Sequence, residues 1–333
     1  MSYSTSTYSA AQVALEKRRK RAESEQEMHR EEAFIKIPQL RSIQAEIAQY
    51  GTQVIQAFAH GANAEQFVQT LAAKSLAAQQ QRKDLLIANG FAPDYLEAHY
   101  VCLKCKDTGI TDDGICDCLR ELLIDKAKEK IAAVAPLSES TFESFSLSFY
   151  PDTADAAGYS PKKRMGEILN FCNSYADDFS CSSPSLFMHG ATGLGKTHLA
   201  LAIASKAIER GHGVVYASAP NLFTALERER FGKGELPALQ GLNEDEIENA
   251  DLLIIDDLGA EFSTQFTVSC AYNIINTRML AQKPTIITTN LTMPEFESKY
   301  TQRITSRITG NYISLMFLGH DIRQLKRYGG SNG

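Results

Sequence analysis

Gly190-Ala191-Thr192-Gly193-Leu194-Gly195-Lys196-Thr197 satisfies G-x-x-x-x-G-K-[ST] at every position, the spacing of a phosphate-cradling P-loop. Its flanks supply the context that the motif needs. Ser185-Leu186-Phe187-Met188-His189 reads as a buried strand, and the apolar run from His198 to Ala204 reads as a helix. Glycines let the backbone wrap closely around an anion with its N–H groups turned inward. The helix N-terminus adds partial positive charge facing that anion. All eight positions and His198 are therefore candidate nucleotide contacts. Lys196 is expected at the β- and γ-phosphates, and the Thr197 hydroxyl at Mg²⁺.

Further along, Gly211-His212-Gly213 turns the chain into a second buried strand, Val214-Val215-Tyr216-Ala217, and residues 221–231 look helical. Asp251-Leu252-Leu253-Ile254-Ile255-Asp256-Asp257 is an apolar strand ending in two carboxylates, the Walker B pattern. Asp256 is expected to hold Mg²⁺, and Asp257 to orient or activate the attacking water. Lys283-Pro284-Thr285-Ile286-Ile287-Thr288-Thr289-Asn290 is a further strand, whose terminal amide is placed to feel a γ-phosphate. Arg303 and Arg307 are four apart, hence on one helical face. Offered to a neighbouring subunit, they would stabilise charge in the transition state. Arg323, in Gly319-His320-Asp321-Ile322-Arg323, is a candidate contact to the γ-phosphate from within the chain.

In the other direction the segments are different in kind. Residues 121–160 read as a charged linker helix and then a loop. In that loop Phe142, Phe145, Phe149 and Tyr150 either pack on the motor core or line a purine ring. Cys102, Cys105, Cys116 and Cys118 form C-x₂-C-x₁₀-C-x-C with turn signals between the pairs. Four thiolates on two tight turns can converge on one tetrahedral Zn²⁺, a closed and therefore structural site. A redox pair is the competing reading, and the surroundings do not read as a βαβ unit. Cys172, Cys181 and Cys270 read as isolated packing residues.

Residues 1–97 read as a helical region. One helix covers residues 9–32, and Pro38 ends that pattern. Further helices are expected at 64–78 and 79–89, the last closed by Gly90. The basic run Lys17-Arg18-Arg19-Lys20-Arg21 is a solvated helix face or a nucleic-acid contact. The expected division is a helical region at 1–97, a zinc module at 98–120, the linker at 121–160 and an ATPase domain at 161–333.

At 333 residues about two domains are expected. A hydrophobic share of 44% supplies ample core. The net charge of −6 leaves nucleic-acid binding to a local patch. No apolar run approaches the ~20 residues of a membrane span, and the polar N-terminus has no leader-like apolar stretch. Cytoplasmic residence is expected, where seven cysteines would not form a disulfide framework.

The P-loop, Asp256-Asp257, Thr289-Asn290, the Arg303/Arg307 pair and Gly319-to-Arg323 come in the order and spacing of AAA+ ATPases. More narrowly, Gly195-Lys196-Thr197-His198-Leu199-Ala200, Leu253-Ile254-Ile255-Asp256-Asp257-Leu258-Gly259 and Thr288-Thr289-Asn290-Leu291 resemble the DnaC/DnaI helicase-loader and IstB-like group, over about residues 140–333. The cysteine cluster after a helical region is similar to the N-terminal domain of DnaI-type loaders.

The resemblance implies an α/β fold: a parallel sheet flanked by helices, with the lid absent or rudimentary, preceded by a small helical and zinc-binding N-terminal domain. It implies a weak, partner-stimulated ATPase that uses ATP, Mg²⁺ and Zn²⁺ and self-associates through AAA+ interfaces. Its partners would be a hexameric replicative helicase, docked by the N-terminal region, and single-stranded DNA. Arg307 matches the family's arginine finger by its Ser-Arg-Ile setting, and Arg323 its sensor II arginine. Arg228, Arg230, Phe231 and Lys233 fall where related initiators and loaders carry a DNA-facing insertion. They are either such a contact or a solvated face. Many relatives carry Glu where this chain has Asp257; the shorter side chain implies a closer water or slow hydrolysis. A transposition helper of the IstB kind is the alternative client relationship.

Overall fold

The computed structural model describes residues 2–59, 64–154, 158, 160–232 and 242–329. They form two compact units. One is built from residues 12–119, the other from the residues up to 11 together with those from 120 onward. The grouping places the four cysteines with the helices before them, and the first residues with the unit that carries the P-loop.

In the smaller unit, α1 (Thr5–Lys36, of which residues 12 onward lie here) is followed by α2 (Gln39–Ala59) and α3 (Ala64–Ala88). Pro38 sits in the turn between α1 and α2, where its missing N–H and restricted predecessor end a helix. Residues 64–88 make one helix instead of the expected two, since neither Gly nor Pro interrupts the run. Gly90 follows it with a φ of 80°, and the Phe91 amide donates back to the Leu86 carbonyl, a C-terminal cap that suits glycine. Ala33, Ile37, Leu40, Leu86 and Leu96 form the small core. On α1, Lys20 pairs with Glu16, Arg19 with Glu23 and Arg21 with Glu25, all exposed and one turn apart. Three residues of the basic run are thus paired within the exposed face of the helix, where such pairs contribute little to stability. A short hairpin follows, β1 (Ile110–Thr111) against β2 (Gly114–Ile115), and α4 (Asp117–Ala132) begins at the last cysteines.

In the larger unit, α5 (Pro161–Asp177) has proline in its first turn and is capped by the Ser160 hydroxyl. Then come β3 (Ser185–His189), α6 (Lys196–Glu209), β4 (Val214–Ser218), α7 (Ala219–Arg230), α8 (Glu244–Asn249), β5 (Leu252–Asp256), α9 (Gln265–Leu280), β6 (Thr285–Thr289), α10 (Met293–Asn311), β7 (Tyr312–Met316) and α11 (Ile322–Gly329). The five long strands form one parallel sheet in the order β4-β5-β6-β3-β7. Helices on both faces explain why β5 and β6 are buried at every position. The core is built from Phe187, Leu253, Ile255, Ile287, Phe296 and Tyr300 among others. β3 lies between β6 and β7, so the strand order reverses beside it. In open parallel sheets ligands sit at such a reversal, beyond the carboxyl ends of the strands. The P-loop leaves β3 at that point.

Candidate nucleotide site and cysteine cluster

Three strand ends converge there. Gly190, Gly193 and Gly195 all have positive φ. A Cβ at Gly190 would lie 2.5 Å from the Phe317 carbonyl oxygen, and one at Gly195 would lie 2.7 Å from the Phe145 ring. Glycine is therefore required by both backbone conformation and space. Beside the loop is a cavity of about 310 Å³, lined by residues 192–198 together with Asp257, Asn290 and Arg323.

Lys196 leaves the first turn of α6. Its Nζ donates to the Gly190 and Ala191 carbonyls, at 2.7 Å each, and to Asn290 Oδ1 at 2.6 Å. The Asn290 amide in turn donates to Asp257 Oδ1 at 2.5 Å. Burial pulls the Lys196 ammonium down to about 8; the Asp257 and Asp256 carboxylates oppose that fall and Arg323 adds to it. Burial, then the Asp256 charge, hold the Asp257 carboxyl above the usual range.

Asp256 ends β5 almost fully buried. It accepts from the Thr197 hydroxyl at 2.8 Å, from Thr288 Oγ1 at 2.7 Å and from the Tyr216 hydroxyl at 2.8 Å. Thr288 Oγ1 also accepts from the Asp257 backbone amide at 2.8 Å, so one hydroxyl holds the Asp256 carboxylate and the Asp257 backbone. A hydroxyl and a carboxylate side by side are an oxygen donor set suited to Mg²⁺. Tyr216 and Thr288 are positioning residues that sequence reasoning missed. Tyr216 was visible only as a polar tip in a mostly apolar strand, and Thr288 only as one of three threonines in β6.

The aromatic loop is divided. Phe145, Phe149 and Tyr150 line the cavity, whereas Phe142 is buried beneath the Lys206 ammonium. Tyr150 donates to the Leu194 carbonyl at 2.9 Å, holding the loop from outside. His198 donates through Nε2 to the Thr141 carbonyl at 2.7 Å. Opposite, the Ile322 amide donates to the Gly193 carbonyl, which brings Arg323 to the rim.

Arg303 and Arg307 do not line this cavity. They lie on α10 beyond Thr301, whose φ of 70° and ψ of 152° break the helix. Arg303 is exposed. Arg307 donates to Asn276 Oδ1 at 2.9 Å and to the Tyr272 hydroxyl at 2.8 Å, with its guanidinium 4.7 Å from that ring's centre. Of the residues in the insertion region, Arg230 stacks over Phe266 and Phe231 is exposed; Lys233 lies outside the described residues.

In the smaller unit Cys102, Cys105, Cys116 and Cys118 bring their sulfurs within 4.8 Å of one another. The closest pairs are 3.7 Å (Cys102 and Cys116) and 3.4 Å (Cys105 and Cys118). Thiolates around one Zn²⁺ at about 2.3 Å would be about 3.8 Å apart, so the donor set fits. The Asp107 carboxylate accepts from the Val101 and Cys102 amides and shapes the first knuckle. The Gly109 amide donates to Cys105 Sγ, and that thiol is drawn down to about 6 despite the opposing effect of burial.

Residues 174–309 match the family of IstB-like ATP binding proteins. The replicative helicase loader DnaC of Escherichia coli (strain K12) is 27% identical over 150 residues, which are 45% of this chain and 60% of that protein. The chain therefore spans less than two thirds of this relative's length. The chromosomal replication initiator DnaA of Aquifex aeolicus (strain VF5) is 29% identical over 128 residues, 38% of this chain and 31% of the initiator. Among solved structures, a DnaC helicase loader superposes with a TM-score of 0.45 at 19% identity, covering 56% of this chain and all of that one.

Proposed function

We propose that residues 174–309, which match the family of IstB-like ATP binding proteins, form an AAA+ ATPase domain of the DnaC/IstB-like group, and that the chain is an ATP-driven loader of a replicative helicase onto single-stranded DNA. The observation that carries the catalytic part is the chain of contacts from Lys196 through Asn290 to Asp257. It sets a phosphate-binding cation, a polar amide and a buried carboxylate around one cavity.

ATP enters with its phosphates against the loop amides of residues 190–197 and its base toward Phe145 and Phe149. Lys196 exchanges its carbonyl partners for phosphate oxygens. Thr197 and Asp256 would hold Mg²⁺, which neutralises developing phosphate charge. Asp257, its carboxylate oriented by Asn290, accepts the proton of the attacking water at Oδ. Arg323 meets the γ-phosphate from within the chain. Arg307, with Arg303 beside it, completes the site of an adjacent subunit. The four cysteines hold Zn²⁺ as a structural ion, and the unit they brace docks the helicase.

The test is native mass spectrometry of this chain mixed with its host's replicative helicase, with and without ATP and Mg²⁺. Several chains on one helicase hexamer are the expected result. The absence of a complex in both conditions would overturn the loader reading. The match to IstB-like proteins favours a transposase as the next client to try.

A further inference from the structure

At the opposite rim of the sheet from the P-loop, three side chains meet that no part of the ATPase site uses. Cys181 stands in the turn before β3, His212 in the turn before β4, and Asp251 immediately before β5. All three lie at the amino ends of parallel strands, and the nucleotide cavity lies at the carboxyl ends. Cys181 is exposed and is not the packing residue expected. Its sulfur is 3.9 Å from His212 Nδ1, which is 3.6 Å from Asp251 Oδ2, and the three ligand atoms all fall within 4.8 Å of one another.

We propose that Cys181, His212 and Asp251 form a second zinc site, separate from the four-cysteine cluster. A thiolate, an imidazole and a carboxylate are each ordinary zinc ligands, at about 2.0–2.3 Å. Those bond lengths place tetrahedral ligand atoms about 3.3–3.6 Å apart, so sub-ångström adjustments close the measured distances. The thiol and imidazole select a borderline-soft ion over Mg²⁺ or Ca²⁺.

The surroundings orient the ligands, as outer-shell partners of metal ligands generally do. The Gly213 amide donates to Asp251 Oδ2 at 2.8 Å and the Ser2 hydroxyl at 2.6 Å. The Phe179 ring meets the imidazole edge-to-face, with centres 5.0 Å apart. Binding releases the Cys181 thiol proton to solvent. Three protein ligands leave one position for water or a group from another molecule. The ion would tie together three turns of the sheet and, through Ser2 on Asp251, the first residues of the chain.

The experiment measures zinc per chain by elemental analysis of the full-length protein, exposed to a modest excess of zinc and then gel-filtered. Two ions per chain are expected, falling to one in Cys181→Ser and in His212→Gln. Cys105→Ser should also retain one, which Cys105→Ser/Cys181→Ser loses. No ion in the unsubstituted chain, or a single ion that Cys181→Ser retains, would overturn the proposal. So would two ions persisting in both the Cys181 and His212 variants, or a second ion held only in large zinc excess. Circular dichroism melting of Cys181→Ser, an exposed and nearly isosteric change, checks that lost metal is not lost fold.

Discussion

Lys196 Nζ lies 2.6 Å from Asn290 Oδ1, joining the P-loop to the end of the neighbouring strand β6. The ammonium also donates to the Gly190 and Ala191 carbonyls. Under the proposed ATPase reading, phosphate oxygens would take the place of these carbonyls, beside Asn290.

Lys196→Ala removes the charged donor. ATP affinity should fall about 10- to 100-fold, the scale of one or two charge-assisted hydrogen bonds. Titration with a fluorescent ATP analogue measures it, and unchanged affinity would refute the assignment. The smaller unit should still bind the helicase.

Asp257→Asn keeps the shape of the side chain and removes the base. Turnover should drop at least about 100-fold with ATP binding retained. Steady-state phosphate release and the same titration separate the two effects. Tyr216→Phe, which removes a donor to Asp256, should give a smaller loss of turnover.

If Arg307 serves a neighbour's site as proposed, Arg307→Ala should leave each chain's own ATP affinity intact and lower turnover about 10³-fold or more. Mixing Arg307→Ala with Lys196→Ala provides the decisive readout. The first chain keeps an intact phosphate loop and the second an intact arginine, so mixed assemblies should regain activity that neither variant has alone. No recovery would place Arg307 outside the site.

Arg278 is completely buried. Its guanidinium donates to Thr285 Oγ1 and to the carbonyls of Ile247, Ala250 and Pro284, joining α8 to the start of β6. Arg278→Leu takes this donor from the Ile247 and Ala250 carbonyls, at about 1–3 kcal/mol each, whereas the Pro284 carbonyl still accepts from the Leu253 amide. Chemical denaturation should show a loss of about 3 kcal/mol or more, without direct change at the nucleotide cavity.

Much of the ATPase unit was legible because its chemistry is local in sequence. The P-loop needs eight adjacent residues, and β5 and β6 are apolar runs ending in polar groups. Buried strands of a parallel sheet announce themselves in this way. The parts that were not legible depend on contacts far apart in the chain. Tyr216 reaches Asp256 across 40 residues, and Thr288 reaches it across 32. Helix α9 buries one face, but two of its buried positions, Thr267 and Arg278, are polar and break the apolar stripe, and β7 is an edge strand with exposed positions. The cysteine spacing pointed to the four-cysteine candidate cluster, whereas Cys181, His212 and Asp251 have no shared spacing to point to another.

Phe149 is half-buried on the wall of the nucleotide cavity, in a chain that contains 13 tyrosines and no tryptophan. Phe149→Trp would therefore place one indole, with no competing emitter of its kind, where the base is expected to enter. Its emission maximum and quenching would report occupancy in real time on unlabelled ATP. The same signal could follow nucleotide arrival and departure while DNA or helicase is added, separating the order of events within a single cycle.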